Sequence, residues 1–219
     1  MLSNKSLLQL ALDLTNISEA LALAYKILPE FPKTIIEIGT PLIKSEGVRA
    51  IKVFREEFRD SVIVADMKTF DAGKIEARLA FNNGADYTTV LYLAGHATLT
   101  EVIKEATILN KGVYVDLMNV IDFKNAIRTL KKYNPQVICL HIGVDTQKLL
   151  GISAASMLDI VREVRELTSN KIAVAGGITP ETARLLVDIG VDIIIVGGYI
   201  TKAKDPLLAV KKIYKAISQ

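Results

Sequence analysis

Short, nearly continuous apolar runs alternate along the chain with longer segments in which apolar residues recur at helical spacing. The apolar runs are rich in Val, Ile and Leu, and such runs are typical of parallel strands with both faces buried. One helical segment spans residues 46–58, and its apolar stripe is formed by Val48, Ile51, Val53 and Phe54. The predicted strands are Leu8–Leu12, Thr34–Ile38, Val62–Ala65, Tyr87–Leu91, Val113–Leu117, Val137–His141, Ile172–Ala175 and Ile193–Val196.

Helix start and stop signals fall between these runs. Thr179-Pro180 offers an N-cap followed by a proline at the first helical position. Asp205-Pro206 does the same for a last helix that is expected to run to about Ile217. The glycine-containing turns at residues 83–86 and 189–192 are natural helix ends.

The alternation predicts a single-domain (β/α)8 TIM barrel over residues 1–219. Eight strand–helix units in 219 residues average about 27 residues each, which suits a compact barrel. A doubly wound open sheet has the same local alternation. It is disfavoured because residues 12–16, Leu-Asp-Leu-Thr-Asn, stand where such a fold would carry Gly-x-Gly-x-x-Gly. No linker or second domain is predicted.

Composition excludes several classes of function. The chain has 27 Lys and Arg against 24 Asp and Glu, without a long run of like charges, so no nucleic-acid interface is expected. No apolar stretch approaches the roughly 18 residues of a membrane span, and no secretory signal is recognised. The single Cys139 cannot form an internal disulfide and is expected in the core. We therefore expect a cytoplasmic protein that binds no membrane.

Titratable residues follow or end several of the predicted strands. In (β/α)8 barrels the active site lies at the C-terminal ends of the strands, so these side chains should converge on one mouth. They are Asp13, Glu37, Asp66, Lys68, Asp116 and His141.

Asp66 and Lys68 form the centre of this group. Two residues apart on a strand, they should point to the same face, the barrel interior. They could be a structural ion pair that closes the barrel. However, Glu37 and Asp13 are expected on neighbouring strands, and carboxylates packed together need a proton or a cation. A Mg²⁺ ion held by Glu37 and Asp66 would meet that need, because Mg²⁺ uses one or two carboxylates plus water and substrate oxygens.

Two glycine pairs stand after the last two strands. Gly176-Gly177 follows strand 7 and Gly197-Gly198 follows strand 8. Either pair could be an ordinary turn. Together they stand where barrels of this kind bind phosphate, with main-chain N–H groups that can approach closely. They predict a phosphorylated substrate.

His141 ends strand 6, across the predicted mouth from Lys68. A lone histidine after an apolar strand can be a buried core residue. Here Asp116 on the adjacent strand could orient the ring, which favours a role in proton transfer.

The segment Asp66-Met67-Lys68-Thr69-Phe70-Asp71 has the pattern Asp-x-Lys-x-x-Asp, the hallmark of the orotidine 5′-phosphate decarboxylase superfamily, which this chain resembles over nearly its whole length. Within it, the chain most resembles the 3-hexulose-6-phosphate synthase family. The supporting stretches are ALDL (11–14), EIGTPLIKSEG (37–47), VADMKTFDAG (64–73), VDLMNVID (115–122), HIGVDTQ (141–147), VAGGI (174–178) and IIVGGYITKAKDP (194–206).

This resemblance implies a reversible, Mg²⁺-dependent aldol reaction. D-ribulose 5-phosphate and formaldehyde would give D-arabino-hex-3-ulose 6-phosphate through a metal-stabilised 1,2-enediolate. Glu37 and Asp66 would bind Mg²⁺, and Lys68 would stabilise the enediolate. His141, assisted by Asp116, would be the base.

The resemblance also assigns binding and assembly roles. Asp13 would bind substrate hydroxyls, and the glycine pairs would bind the phosphate. In this superfamily the second aspartate of the motif, here Asp71, typically reaches into the partner subunit's site. A homodimer is therefore implied, with Asp71 contributed across the interface.

Two alternatives stay open. The sister family, 3-keto-L-gulonate 6-phosphate decarboxylase, typically has a glutamate where this chain has Asp116. It also has arginines where this chain has Val144 and Gly198, and these departures favour the synthase. The second alternative is a non-catalytic barrel that binds a sugar phosphate.

Overall fold

A closed barrel of eight parallel strands forms the centre of the protein. The computed structural model describes residues 6–218. Each strand pairs with its neighbours in chain order and β8 pairs back with β1, which confirms the predicted (β/α)8 barrel. The strands are β1 (Leu7–Leu12), β2 (Ile35–Ile38), β3 (Ile63–Thr69), β4 (Tyr87–Leu91), β5 (Gly112–Asp116), β6 (Val137–His141), β7 (Lys171–Ala175) and β8 (Ile193–Val196).

Helices surround the barrel and connect its strands. Two short 3₁₀ turns, Tyr92–Ala94 and Ala154–Met157, precede α5 and α8. No helix within residues 6–218 is both long and apolar enough to cross a membrane. The helices are α1 (Ile17–Ile27), α2 (Thr40–Glu46), α3 (Arg49–Glu57), α4 (Gly73–Asn82), α5 (Gly95–Ile108), α6 (Phe123–Leu130), α7 (Val144–Leu150), α8 (Leu158–Leu167), α9 (Pro180–Ile189), α10 (Gly198–Thr201) and α11 (Pro206–Ile217).

Most helix boundaries match the sequence signals. The side chains of Thr179 and Asp205 cap α9 and α11 by accepting main-chain N–H groups. The segment 46–58 is an exception, because its helix begins only at Arg49. Gly47 has φ +71°, a conformation that ends α2 and separates it from α3.

Apolar side chains form two layers. One lies between the strands and the surrounding helices, and the other fills the barrel interior. The interior layer combines small residues such as Ala11 and Ala173 with the large ring of Tyr114. Cys139 belongs to this interior layer and is buried, as predicted.

Two aspartates stabilise the end of the barrel at which the strands begin, opposite the predicted mouth. Asp86 accepts the N–H of Ile63 at 3.0 Å and forms an ion pair with Arg55. Asp192 repeats this arrangement, because it accepts the N–H of Ile172 at 2.8 Å and pairs with an arginine of α8. These contacts tie helices to strand starts and leave the C-terminal face for the polar side chains.

Candidate active site

Strand β3 departs from regular pairing at the point where it carries the motif. It runs to Thr69, four residues beyond its predicted end, and its register with β4 shifts between Ala65 and Thr69. Within this bulge Lys68 has φ +46°, a left-handed conformation that side chains other than glycine rarely adopt. Because of the bulge, the alternation of side chains along a regular strand does not determine the direction of the Lys68 side chain. Its hydrogen bonds with Thr89 and Asp66 do.

Asp66 is the best-satisfied acid of the mouth. It is 2% exposed, and its Oδ2 accepts hydrogen bonds from the Lys68 ammonium and from Thr40 Oγ1, the latter at 2.8 Å. Thr89 Oγ1 donates to Oδ1 at 2.8 Å. Burial raises the pKa of Asp66, but the charge of Lys68 and the hydrogen bonds from Lys68, Thr40 and Thr89 outweigh it and leave the pKa lowered.

Lys68 is held as a cation by the acids around it. Burial lowers the pKa of its ammonium, but the negative charges of Asp66, Glu37 and Asp116 outweigh burial and raise the pKa. One ammonium therefore interacts electrostatically with three carboxylates.

Thr40 and Thr89 were not predicted from the sequence. Thr89 Oγ1 accepts the main-chain N–H of Lys68 at 2.8 Å while donating to Asp66, so one hydroxyl holds both motif residues. The same Thr40 hydroxyl is 2.7 Å from the main-chain oxygen of Asp66, so its one proton is shared between two oxygens of this residue. Threonine is common in strands and at helix starts, so neither position carried a signal until the fold placed it beside β3.

Glu37 lies on the neighbouring strand and is 7% exposed. Gln9 Nε2 donates to its Oε2 at 2.6 Å. The pKa of Glu37 is raised well above its usual value, first by burial and then by the negative charges of Asp66 and Asp13. Glu37 thus retains the need for a proton or cation that the sequence predicted for this cluster.

A small cavity of about 20 Å³ is lined by Glu37, Asp66 and Lys68 among other residues. Its size suits one water-sized species. Among residues 6–218 no cluster of three or more His, Cys, Asp or Glu side chains forms a complete metal site. The two carboxylates fit Mg²⁺ only if substrate or water oxygens complete its coordination, which is common for this ion.

His141 and Asp116 are in contact, as predicted. His141 Nδ1 and Asp116 Oδ2 are 2.8 Å apart, and Asp116 Oδ1 accepts the N–H of Met118 at 2.8 Å. Burial lowers the pKa of His141, but the charge of Asp116 and its hydrogen bond outweigh burial, so the pKa is raised. With Nδ1 occupied, Nε2 is the nitrogen left for proton transfer.

Asp13 lies at the rim of the mouth, where two glycines allow its approach. A Cβ at Gly39 would clash with Asp13 Oδ1, and one at Gly197 would lie 3.1 Å from Oδ2. Both glycines therefore make room for the carboxylate, and Asp13 is placed between the loops that follow β2 and β8.

The predicted phosphate loops also have distinctive backbones. Gly176 and Gly177 have φ of +112° and +65°, so a side chain at either position would be strained. Gly198 begins the short helix α10, and the Lys202 side chain lies beside it. Lys202 was not predicted from the sequence, because a lysine in an exposed loop carries no signal by itself.

Within one chain, Asp71 does not join Asp66 and Lys68, the other charged residues of the motif. It is exposed in the loop between β3 and α4, and no hydrogen bond or ion pair joins it to another described residue. Nearby, Phe70 and Ile75 are 59% and 64% exposed.

Comparison with known families identifies the relationship. Residues 6–213 match the model of the orotidine 5′-phosphate decarboxylase / HUMPS family. The chain belongs to this family. The predicted resemblance is thereby confirmed.

Relatives whose similarity spans nearly the full chain include synthases and decarboxylases. A 3-hexulose-6-phosphate synthase from Staphylococcus aureus is 38% identical over 96% of this chain and 98% of its own length. The crystal structure of 3-hexulose-6-phosphate synthase from Salmonella typhimurium has a TM-score of 0.90 and 36% identity, covering 97% of this chain and 98% of that one. A 3-keto-L-gulonate-6-phosphate decarboxylase from Vibrio cholerae has a TM-score of 0.85 and 29% identity, covering 98% of both chains.

The chain has two histidines, which makes the His141–Asp116 contact measurable by NMR. Asp116→Asn should lower the pKa of His141, because the opposing charge is removed while burial remains. Histidine ring signals followed through a pH titration would report it. His96 is the internal control, and its ring signals should be the same in the variant and the wild type. An unchanged His141 in the variant would contradict the contact.

Thr89→Val tests whether the Thr89 hydroxyl stabilises the bulge of β3. The substitution keeps the shape of the side chain but leaves the Lys68 N–H and Asp66 Oδ1 without a partner, so it should cost about 1–3 kcal/mol of unfolding free energy. Urea unfolding would measure this. The matched control is Thr88→Val, because Thr88 is buried but donates only a 3.4 Å hydrogen bond to Ala65 O. Equal losses in both variants would contradict the assignment.

Proposed function

We propose that this protein catalyses the reversible, Mg²⁺-dependent aldol addition of formaldehyde to D-ribulose 5-phosphate, giving D-arabino-hex-3-ulose 6-phosphate. The observation that carries the proposal is the meeting of two units at one mouth. One is the acid–lysine group of Glu37, Asp66 and Lys68, and the other is the His141–Asp116 pair, with Nδ1 2.8 Å from the carboxylate. The synthase names of the Staphylococcus and Salmonella relatives support it.

Glu37 and Asp66 are the residues that would hold the metal ion. Oε1 of Glu37 accepts no hydrogen bond from any described residue, and Asp66 Oδ1 accepts only one. When bound, Mg²⁺ supplies Lewis-acid stabilisation of negative charge on the substrate oxygens. The low number of protein ligands leaves coordination positions for the substrate.

His141 would move the proton. Its Nε2 takes a C1 proton of D-ribulose 5-phosphate, and the electron pair left behind forms the 1,2-enediolate. Lys68, kept cationic by its acidic neighbours, stabilises the developing negative charge. Asp116 holds the ring and favours the imidazolium that forms.

Carbon–carbon bond formation completes the reaction. The enediolate electron pair at C1 bonds to the carbon of formaldehyde, and the carbonyl π electrons move onto its oxygen. That alkoxide takes the proton back from His141, so the histidine returns to its starting form. The reverse sequence cleaves the same bond.

The rim residues would bind the rest of the substrate. The main-chain N–H groups of Gly177 and Gly198 are suited to phosphate, because glycine permits close approach. Lys202 adds positive charge beside Gly198. Gly176 and Gly197 shape these loops, and Asp13 is placed to accept hydrogen bonds from substrate hydroxyls.

The decarboxylase alternative is disfavoured by the environment of His141. Where the sister family typically has arginine after this histidine, Val144 stands here and is 54% exposed. Gly198 stands at the other arginine position. The similarity to the Vibrio protein keeps CO₂ release as the appropriate comparison assay.

Formaldehyde consumption tests the proposal directly. Purified protein with D-ribulose 5-phosphate and Mg²⁺ should consume formaldehyde, and excess EDTA should abolish the reaction. Glu37→Gln should lower the rate by about 100-fold or more, because the metal loses one of two carboxylates. Omitting the sugar is the control for non-specific formaldehyde loss.

Each negative result has its own meaning. No formaldehyde loss together with CO₂ release from 3-keto-L-gulonate 6-phosphate would assign the chain to the decarboxylases. Binding of the sugar phosphate without turnover in either assay would leave a non-catalytic barrel.

A homodimer that shares Asp71 is also proposed. Phe70, Ile75 and Leu79 are exposed beside Asp71, with Ile75 and Leu79 one turn apart on α4. Exposed apolar clusters of this kind are typical of interaction surfaces. In such a dimer Asp71 would join the acid–lysine group of the partner subunit.

Mixing two impaired variants tests the shared site. Lys68→Ala and Asp71→Ala should each have little activity. Because a two-fold dimer exchanges Asp71, random mixing should restore about a quarter of the wild-type sites. Refolding the variants together and measuring formaldehyde consumption would show it. Separately refolded samples combined just before the assay are the control. No recovery from a mixed dimer verified by size and mass would place Asp71 in its own subunit's site or outside catalysis.

A further inference from the structure

A chain of hydrogen bonds crosses the barrel interior below the mouth. Tyr114 OH, on β5, donates to Gln9 Oε1 at 2.9 Å, and Gln9 Nε2, on β1, donates to Glu37 Oε2 at 2.6 Å. Tyr114 and Gln9 are each 1% exposed. Neither residue is part of the acid–lysine group or the His141–Asp116 pair, yet their chain ends on a carboxylate of the mouth.

The direction of this hydrogen-bond chain is set at the Glu37 end, because a tyrosine hydroxyl can either donate or accept. A Glu37 that binds a cation is ionised and only accepts hydrogen bonds, so the amide nitrogen of Gln9 must face it. The amide oxygen then faces Tyr114, whose hydroxyl donates to it. If Gln9 turned over, its oxygen would face the carboxylate, and both groups would be buried without a partner. Tyr114 supplies the donor that this buried amide oxygen needs, and so supports the orientation of Gln9 that fixes Glu37.

The aromatic ring of Tyr114 is held independently of its hydroxyl. It packs edge-on against Tyr87 with ring centroids 5.4 Å apart, within the apolar interior layer. Burying a hydroxyl and an amide in this layer is costly unless both are bonded, and an apolar residue would fill the space without that cost. A phenylalanine would fill nearly the same space and could not orient Gln9.

We propose that Tyr114 and Gln9 are positioning residues that orient Glu37 for a divalent cation. The inference rests on the proposed function, because that function makes Glu37 a metal ligand. One small cavity of about 20 Å³ is lined by Gln9, Glu37, Tyr114 and Asp66, so the chain of hydrogen bonds reaches the place where the cation would bind. Groups that orient metal ligands by hydrogen bonds raise metal affinity.

Mn²⁺ binding measured by electron paramagnetic resonance tests the proposal. Each protein is titrated with Mn²⁺ in the presence of D-ribulose 5-phosphate without formaldehyde. Tyr114→Phe and Gln9→Met should each weaken binding by about tenfold, because Glu37 is no longer held in one orientation. The matched control is Tyr87→Phe, since the hydroxyl of Tyr87 has no hydrogen bond to another described residue. Its affinity should equal that of the wild type.

Unfolding free energies separate positioning from packing. A purely structural role predicts that Tyr114→Phe is less stable in urea but binds Mn²⁺ as tightly as Tyr87→Phe, and that result would overturn the inference. Glu37→Gln distinguishes loss of the metal site from loss of the positioning by Tyr114 and Gln9. If Glu37→Gln loses Mn²⁺ while the Tyr114 and Gln9 variants keep full affinity, the inference alone fails. If Glu37→Gln binds Mn²⁺ as the wild type does, the proposed metal site fails and the inference with it.

Discussion

The ion pair of Asp66 and Lys68 is the interaction on which the mouth of the barrel depends. Four acids converge there, at Asp13, Glu37, Asp66 and Asp116, and the Lys68 ammonium lowers the pKa of Asp66 against the effect of burial. Without that cation, neighbouring carboxylates would repel one another and take up protons. The pair leaves Glu37 with a raised pKa and an unmet need for positive charge, which makes it suitable for a metal ion.

This ion pair requires an irregular strand. Lys68 has φ +46° inside a β-bulge, and such conformations persist when the surrounding structure holds them. Thr89 supplies that support from β4, because its hydroxyl bonds both the Lys68 N–H and Asp66. Stability at the opposite end of the barrel comes from regular contacts instead, including those of Asp86 and Asp192 with strand starts. The protein thus separates the strained, polar end from the end that holds the strands together.

The mouth contains acids in contrasting surroundings. Asp66 accepts three side-chain hydrogen bonds, two of them from threonine hydroxyls, whereas Glu37 accepts one, from an amide. Asp116 faces His141 and raises its pKa. In the proposed reaction, these differences in partners, rather than in residue type, would allow one carboxyl group to bind the metal ion and another to assist the base.

The sequence by itself determined the repeated strand–helix pattern and the side chains that stand at strand ends. Lys68, His141 and Asp116 could be placed at one mouth because parallel strands of a barrel all end on the same face. Tertiary structure alone decided the bulge at Lys68 and the hydrogen bonds made by Thr40, Thr89, Gln9 and Tyr114. The physical reason is that these contacts join distant parts of the chain. Tyr114 and Gln9 are 105 residues apart, and no local pattern encodes which buried hydroxyl meets which amide once the barrel closes.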